Sequence, residues 1–143
     1  MKERVVVTGS HGLLGSEISQ FLADEFDVCG LDLSLGHDLS NEDFVKDWFL
    51  NNPSEYLVNC FALNDHVDKE SGRSTLFDCT LESVSAFLDV NVLALFSVCR
   101  EFARQSSARA IVNFSSTYGM VSPMPELYGE GEKHIGYSVS KGA

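Results

Sequence analysis

The sequence predicts an α/β fold in which helices are wound around both faces of a parallel sheet. Short apolar runs rich in valine and phenylalanine alternate with longer segments of helical periodicity, which is typical of βαβ units. A glycine-rich turn connects the first apolar run to the first helical segment. The 143 residues are 44% hydrophobic and 22% charged, which indicates one soluble globular domain and excludes collagen-like or wholly disordered chains.

The first half of the chain is predicted to alternate strands and helices. Ser40, with Asp43 three residues later, is typical of a helix N-cap. The run 36–39 is a candidate for a very short further strand. The elements follow in the order strand 4–8, helix from about 13 to 26, strand 28–31, the short run 36–39, helix to about 51 and strand 56–62.

The second half is predicted to hold one long amphipathic helix over 80–105 and a strand over 110–115, followed by a loop. Apolar residues at helical spacing are expected to face the core. They are Leu14, Ile18, Phe21 and Leu22 on the first helix, Phe44, Val45, Trp48 and Phe49 on the second, and Leu88, Val92, Leu95, Phe96, Cys99 and Phe102 on the long helix.

The charge of the chain narrows its partners and its compartment. Acidic residues outnumber basic ones 21 to 10, a formal net charge of -11 that repels phosphate backbones and anionic lipid. We therefore expect neither nucleic acid nor a membrane surface as a partner.

The N-terminus has no signal-peptide pattern, and no apolar run reaches about 18 residues. A cytoplasmic protein is expected, with its four cysteines reduced.

The glycine turn has the spacing and context of a phosphate-binding loop. Gly9, Gly12 and Gly15 lie between a strand and a helix, where they permit a tight turn, a close approach of the backbone to a pyrophosphate and tight helix packing. Asp32 ends the second strand, where a carboxylate can accept both hydroxyls of an adenosine ribose and repel a 2′-phosphate. The pair favours NAD over NADP. A purely structural turn, with Asp32 as a turn former, is the alternative.

The histidines do not predict a metal site. His11, His37, His66 and His134 are scattered through polar loops without metal-ligand spacing. We interpret His11, which lies inside the glycine turn, as a tolerated loop residue.

Tyr137 and Lys141 form the most informative pair. They lie one helical turn apart on the same face, and a lysine there lowers the pKa of a phenol, which can then exchange protons near neutral pH. Upstream, Ser115 and Ser116 end a predicted parallel strand, the end at which ligands bind in such sheets. Tyrosine and lysine at this spacing are also common surface neighbours.

Taken in order, these features resemble the short-chain dehydrogenase/reductase superfamily, whose domain is a Rossmann fold. The resemblance implies that Tyr137 is the acid/base and that Lys141 binds the nicotinamide ribose and depresses the tyrosine's pKa. It implies that Ser116 hydrogen-bonds the reacting oxygen, with Ser115 as an alternative. Asn91, within the long helix, resembles the asparagine that holds a water in the family's proton relay.

On the cofactor side, Asp38 and Leu39 resemble the pair beside the adenine, and the strand end after Asn59 resembles the family's Asn-Asn-Ala-Gly. Phe61 and Ala62 stand there in place of small residues, which is a departure from the pattern. The implied cofactor-binding residues are Gly9, Ser10, Gly12, Leu13, Leu14, Gly15, Asp32, Asp38, Leu39, Cys60, Phe61, Ala62, Tyr137 and Lys141.

The resemblance implies an NAD-dependent oxidoreductase that moves hydride between nicotinamide and a secondary alcohol or ketone. The glycine spacing and residues 115–119 resemble the extended, nucleotide-sugar-modifying members, whereas Asn91-Val92 resembles the simple dehydrogenases. The stretches 121–123 and 126–130 resemble bacterial members of surface-sugar or flagellin pathways, so a sugar or sugar nucleotide is the expected substrate. A non-catalytic dinucleotide-binding module and an extended-type epimerase or dehydratase are the alternatives.

The sequence stops two residues after Lys141, whereas family members continue well beyond this motif. We therefore expect an incomplete domain, the N-terminal part of a longer dehydrogenase that is a homo-oligomer at full length. A helix from Tyr137 to Ala143 is expected to fray because helices this short are marginal in isolation.

Overall fold

The computed structural model describes residues 2–64, 76–124, 126 and 133–143. Its helices and strands are β1 (Arg4–Thr8), α1 (Leu13–Leu22), β2 (Asp27–Leu31), α2 (Glu42–Asn51), β3 (Tyr56–Asn59), α3 (Leu81–Leu88), α4 (Leu95–Ala103), β4 (Ala110–Asn113) and α5 (Ile135–Gly142). Short 3₁₀ turns lie at Leu33–Leu35 and Thr117–Gly119, and a π-helical segment, Asp89–Ala94, joins α3 to α4. His66 lies outside the described residues. So do residues 127–130, which are part of the stretch that resembles members of sugar pathways.

The chain divides into two units, each described by itself. The first unit comprises Met1–Ala62 and Leu93–Phe114, and the second comprises Leu63–Val92 and Ser115–Ala143. All strands of the described residues belong to the first unit, and α3 and α5 belong to the second.

The first unit is a parallel sheet with the strand order β2-β1-β3-β4. Side chains of β1 alternate between its two faces. Val6 packs with residues of α2 and α4 on one face, while Val5 and Val7 pack with Ile18 and Leu22 of α1 on the other. Helices thus cover both faces of the sheet, and the predicted doubly wound α/β fold is confirmed.

The core on the α2 side is as predicted from helical spacing. Val45 and Phe49 are buried, and Phe44 and Trp48 pack against the same cluster. Phe49 meets Phe102 of α4 edge to face, with 6.1 Å between the ring centroids. Full burial of side chains of this size contributes roughly 1.5–3 kcal/mol each, which fixes α2 and α4 on the sheet.

The predicted buried face of α1 is half wrong. Ile18 and Leu22 pack against the sheet, but Leu14 and Phe21 are 52% and 81% exposed. The rotation of the helix is set by Gly15, which is buried directly against the backbone of the glycine turn. Since each residue advances by about 100°, turning Gly15 inward carries Leu14 and Phe21 out to solvent. The helix also ends at Leu22, earlier than about 26.

The candidate strand at 36–39 is absent. Asp32 caps the turn Leu33–Leu35, Gly36 follows with a left-handed φ of 83°, and the chain then enters α2. The predicted cap Ser40 is also wrong, because the Asn41 side chain accepts the hydrogen bond from the Phe44 amide at 3.1 Å.

The long helix is confirmed over Leu81–Ala103, but its buried face differs from the one that helical spacing predicted. The π-helical segment has a wider turn, so the residues after it shift around the axis. Val98 is therefore fully buried, while Phe96 is 62% exposed and stacks on Arg100. By length and composition alone, this helix of the described residues could cross a membrane, a property that it shares with core helices of soluble proteins.

The remaining strands are shorter than predicted. β3 ends at Asn59 and β4 at Asn113, so the polar residues that follow both strands lie in loops. β4 lies at one edge of the sheet, and all four of its residues are exposed.

In the second unit, α5 packs against α3 and against the turn Thr117–Gly119. Gly136 lies beneath the Phe87 ring, and Gly119 lies against the Lys141 carbonyl, so neither position has room for a Cβ atom. The helix begins at Ile135, two residues before the predicted start, and these contacts stabilise a segment that we expected to fray.

Candidate functional site

The glycine turn of the first unit is held by backbone contacts. Gly9 adopts a φ of 65°, and a Cβ atom there would lie 2.7 Å from the Phe61 nitrogen. A Cβ atom on Gly15 would collide with the Gly9 carbonyl. The amide of Gly12 donates to that same carbonyl at 3.0 Å. The turn therefore needs glycine at Gly9 and Gly15 for steric reasons.

The α1 N-terminus next to this turn has the properties of an anion-binding site. No side chain among the described residues caps the helix, so the amides of its first turn are available to a ligand. The hydroxyl of Ser10 is buried without a hydrogen-bond partner in the described residues. Leu13 and Leu14 are exposed beside these donors. The residues present thus fit a pyrophosphate bound at the helix end.

Asp32 directly follows β2 and is held by three hydrogen bonds. Its Oδ1 accepts from the amide and the hydroxyl of Ser34 at 2.9 and 2.7 Å, and its Oδ2 accepts from the His11 amide at 2.9 Å. Burial raises the pKa of the carboxyl, but the hydrogen bonds from Ser34 and His11 outweigh it, and the net pKa is lowered. A carboxylate can accept about four hydrogen bonds, so acceptor capacity remains for a ribose hydroxyl.

His11 contributes more than the sequence indicated. Besides its amide, its ring Nδ1 lies 2.9 Å from the Ser34 hydroxyl, so the imidazole helps to bind the turn that Asp32 caps. Asp32 therefore forms the turn, as the alternative interpretation predicted. Its carboxylate also remains available to a ligand.

The other predicted cofactor residues are spread over the first unit. Asp38 is exposed and accepts from the Ser40 amide at 2.9 Å, whereas Leu39 is buried in the core. Cys60, Phe61 and Ala62 follow β3, with the Phe61 backbone against Gly9. The Cys60 amide donates to the Thr8 carbonyl at 3.0 Å, and burial raises the pKa of its thiol.

Sequence reasoning missed a row of polar side chains at the carboxyl ends of three adjacent strands. The Thr8 hydroxyl donates to Asn59 Oδ1 at 2.9 Å, and Asn59 Nδ2 donates to Asn113 Oδ1 at 2.8 Å. Each residue is the last of its strand, and the three are paired in register. The signal in the sequence was a polar residue at the end of each apolar run.

The predicted catalytic residues all lie in the second unit. Asn91 is buried in the π-helical segment. Its Oδ1 accepts from the Leu63 amide at 2.7 Å, and its Nδ2 donates to the Leu63 carbonyl at 3.0 Å and to the Ser140 hydroxyl at 2.8 Å. The Ser140 hydroxyl in turn donates to the Tyr137 carbonyl at 2.9 Å. Asn91 is therefore tied to the helix that carries Tyr137 and Lys141.

Tyr137 and Lys141 lie at the predicted spacing on α5. Burial lowers the pKa of Lys141. The Tyr137 ring is half-buried, with the Lys133 ammonium 4.6 Å from its centroid and the Tyr118 ring edge-on at 6.5 Å. Lys133 is a second cation beside the phenol, four residues before it, which the sequence analysis did not single out.

Of the two candidate serines, Ser116 is the one whose hydroxyl is held by a hydrogen bond within the described residues. Its hydroxyl caps the turn Thr117–Gly119 by accepting from the Tyr118 amide at 3.2 Å, which leaves its proton available as a donor. Ser115 is exposed. That turn packs directly on α5, through Gly119 and Lys141.

Solved structures share this architecture. A short-chain dehydrogenase from Leptospira borgpetersenii with bound NAD+ aligns with a TM-score of 0.79 over 99% of this chain, at 20% identity. The chain has the fold of the short-chain dehydrogenases. A second such enzyme, from Burkholderia cenocepacia in complex with NADP, aligns over 99% of this chain with a TM-score of 0.75 at 20% identity.

A further structure with this short-chain dehydrogenase fold is the ligand-free aldohexose dehydrogenase of Thermoplasma acidophilum, with a TM-score of 0.70 and 19% identity over 99% of this chain. The chain spans 61%, 62% and 56% of the lengths of these three proteins, in the order given. No family model and no curated protein matches the sequence.

Proposed function

We propose that this chain is part of an NAD-dependent oxidoreductase that transfers hydride between nicotinamide and a secondary alcohol or ketone. The observation that carries the proposal is the pair on α5, in which Lys141 lies one turn after Tyr137 and burial lowers the lysine's pKa. A helix N-terminus with free amides beside a glycine turn supports a dinucleotide, and solved structures of the same fold bind NAD or NADP.

We assign each proposed catalytic residue a role, following the family resemblance. Tyr137 exchanges a proton between its phenol oxygen and the substrate oxygen, and Lys141 binds the nicotinamide ribose. Ser116 donates its remaining proton to the reacting oxygen. Asn91 acts as a positioning residue through Ser140. A bound nicotinamide would supply or accept the hydride.

We further propose NAD as the cofactor, because the ionised Asp32 carboxylate repels a 2′-phosphate and retains acceptor capacity for ribose hydroxyls. A sugar or sugar nucleotide is the proposed substrate. The resemblance of residues 121–123 supports this, as does the fold shared with an aldohexose dehydrogenase and a dTDP-4-dehydrorhamnose reductase. We also propose that the full-length protein is a cytoplasmic homo-oligomer that binds neither nucleic acid nor membranes.

The experiment measures NADH oxidation in the presence of each member of a panel of sugar and sugar-nucleotide ketones. The rates of the wild-type chain are compared with those of Tyr137→Phe. A lost acid/base group is expected to lower turnover by about 10²–10⁴-fold. Turnover that survives in Tyr137→Phe would contradict the assigned role.

A second candidate function is a dinucleotide-binding module without turnover of its own. The free amides at the N-terminus of α1, beside the glycine turn, support it. NADH binding by the wild-type chain without turnover of any substrate in the panel would favour this candidate.

A further inference from the structure

A cysteine, a serine and a histidine meet in the second unit, apart from the residues of the proposed oxidoreductase. Cys79 Sγ lies 3.2 Å from His134 Nε2 and 3.4 Å from Ser83 Oγ. His134 Nε2 lies 3.0 Å from the same hydroxyl oxygen. Cys79 precedes α3, Ser83 lies in its first turn, and His134 comes from the start of α5. The contact therefore depends on the folded unit, because 55 residues separate the thiol from the imidazole.

The surrounding contacts fix which ring nitrogen of His134 carries the proton. The Gly136 amide donates to Nδ1 at 3.0 Å, so the neutral ring holds its hydrogen on Nε2. Ser83 donates its own proton to the Thr80 carbonyl at 2.8 Å, which leaves its oxygen as an acceptor. Nε2–H thus points to two acceptors, the Ser83 oxygen and the Cys79 sulfur. An imidazole N–H directed at sulfur stabilises the thiolate over the thiol.

The imidazole is held in place by packing. The His134 ring stacks on Phe87 with 4.9 Å between centroids and a 23° angle. A Cβ atom on Gly136 would lie 2.6 Å from the Phe87 ring and 2.9 Å from His134 Nδ1, so glycine permits this stack. The donor is preorganised beside the sulfur.

The helix that starts next to Cys79 acts in the same direction. Thr80 is the N-cap of α3, and the positive end of a helix dipole stabilises a nearby anion. The charged neighbours of Cys79 in sequence, Asp78 and Glu82, oppose a thiolate.

Among the residues that the structure describes, no imidazole contacts the other three cysteines. Burial raises the pKa of the Cys29, Cys60 and Cys99 thiols. All four cysteines are free and partly buried, so exposure alone does not distinguish them. The imidazole donor is the feature that sets Cys79 apart.

We propose that Cys79 is a thiol-modification site that reacts with low-molecular-weight disulfides. Cys79 loses its proton to solvent and the thiolate attacks one sulfur of the disulfide. A new sulfur–sulfur bond forms as the old one breaks, and the leaving thiolate takes a proton from solvent. The Cys79 sulfur is oxidised and half of the small disulfide is reduced, so no further reagent is required. The adduct forms beside the imidazole that caps α5.

The test incubates the 143-residue chain with glutathione disulfide at neutral pH, without cofactor or substrate, and follows each cysteine by peptide mass spectrometry. We expect Cys79, which has an imidazole donor beside its sulfur, to form the mixed disulfide about tenfold faster than Cys29, Cys60 or Cys99. In concentrated guanidinium the four rates should become similar. Equal rates in the folded chain would overturn the proposal.

Two variants test the role of the donor. His134→Asn keeps a good helix N-cap residue but is too short to reach the sulfur, so the Cys79 rate should fall several-fold. Thermal unfolding followed by circular dichroism reports whether the variant is folded, because Cys29, Cys60 and Cys99 all lie in the first unit. Ser83→Ala removes the competing acceptor for Nε2–H, so the rate should equal or exceed that of the wild type. An unchanged rate in folded His134→Asn, or a reduced rate in Ser83→Ala, would contradict the assignment.

Discussion

The two units build their candidate sites in different ways. In the first unit the glycine turn is shaped by backbone contacts, within the turn and with Phe61, and its proposed ligand-binding groups are amides and one carboxylate. In the second unit the candidate residues are held by side chains that are far apart in sequence, with 28 residues between Leu63 and Asn91 and 49 between Asn91 and Ser140. The first site depends on the absence of side chains, and the second on their identity.

The largest effect is expected from adding a single methyl group to the glycine turn. In Gly15→Ala the Cβ atom collides with the Gly9 carbonyl, and neither backbone segment can move without disturbing α1 or β1. We expect a loss of about 3 kcal/mol of unfolding free energy, with loss of NADH binding. Urea unfolding and an NADH titration measure the two effects.

Gly36→Ala is the matched control, because Gly36 has a positive φ but open space around it. Its cost should be limited to backbone strain of about 1 kcal/mol. If Gly15→Ala is no more destabilising than Gly36→Ala, steric exclusion does not shape the turn.

The second unit should respond to the removal of one amide side chain. Asn91→Ala leaves the Leu63 amide and carbonyl without their side-chain partner, and it breaks the link to Ser140. We expect a loss of about 1–3 kcal/mol, the cost of unsatisfied buried polar groups. Urea unfolding monitored by tyrosine fluorescence provides the measurement.

Asn51→Ala serves as its control, since that exposed side chain bonds only to the Asp47 carbonyl of its own helix. It should change stability by less than about 0.5 kcal/mol. Equal effects of the two variants would show that the Asn91 contacts do not hold the unit together.

The smallest effect concerns one charge. Asp32→Asn keeps an acceptor for Ser34 but removes the charge that repels a 2′-phosphate, so the affinity ratio of NADPH to NADH should rise about tenfold, or 1.4 kcal/mol. Asp43→Asn is the control. It changes the net charge by the same amount at an exposed position of α2, and it should leave the affinity ratio unchanged. A ratio that moves equally in both variants would indicate a long-range charge effect.

The direction of the Asp32 pKa shift fixes the pH for that comparison. Because its folded-state pKa is lowered, its stabilising contribution is present above the unfolded value of about 3.9 and is lost as the pH falls through the folded value. Titrations at neutral pH therefore compare an ionised carboxylate with a neutral amide.

The sequence predicted most of what local spacing determines. Valine-rich runs located the strands, glycine spacing located the turn, and the i, i+4 spacing of Tyr137 and Lys141 located α5. Positions that depend on tertiary contacts were not predictable. The rotation of α1 follows from contact of Gly15 with Gly9, and the exposure of Phe96 follows from a π-helical segment.

Contacts between side chains that are distant in sequence could not be predicted either. Asn91 was predicted as a site residue, but its partner Ser140 is an ordinary serine until α5 packs in place. His134 was one of four scattered histidines, and neither its contact with Cys79 nor its cap on α5 has a local signal.

The most direct test of the account is a titration of the 143-residue chain with NADH and NADPH, followed by nicotinamide fluorescence. Saturable binding of NADH, with weaker binding of NADPH, is the result that the glycine turn and Asp32 predict. A folded chain that binds neither nucleotide would contradict the assignment of a dinucleotide site to the first unit.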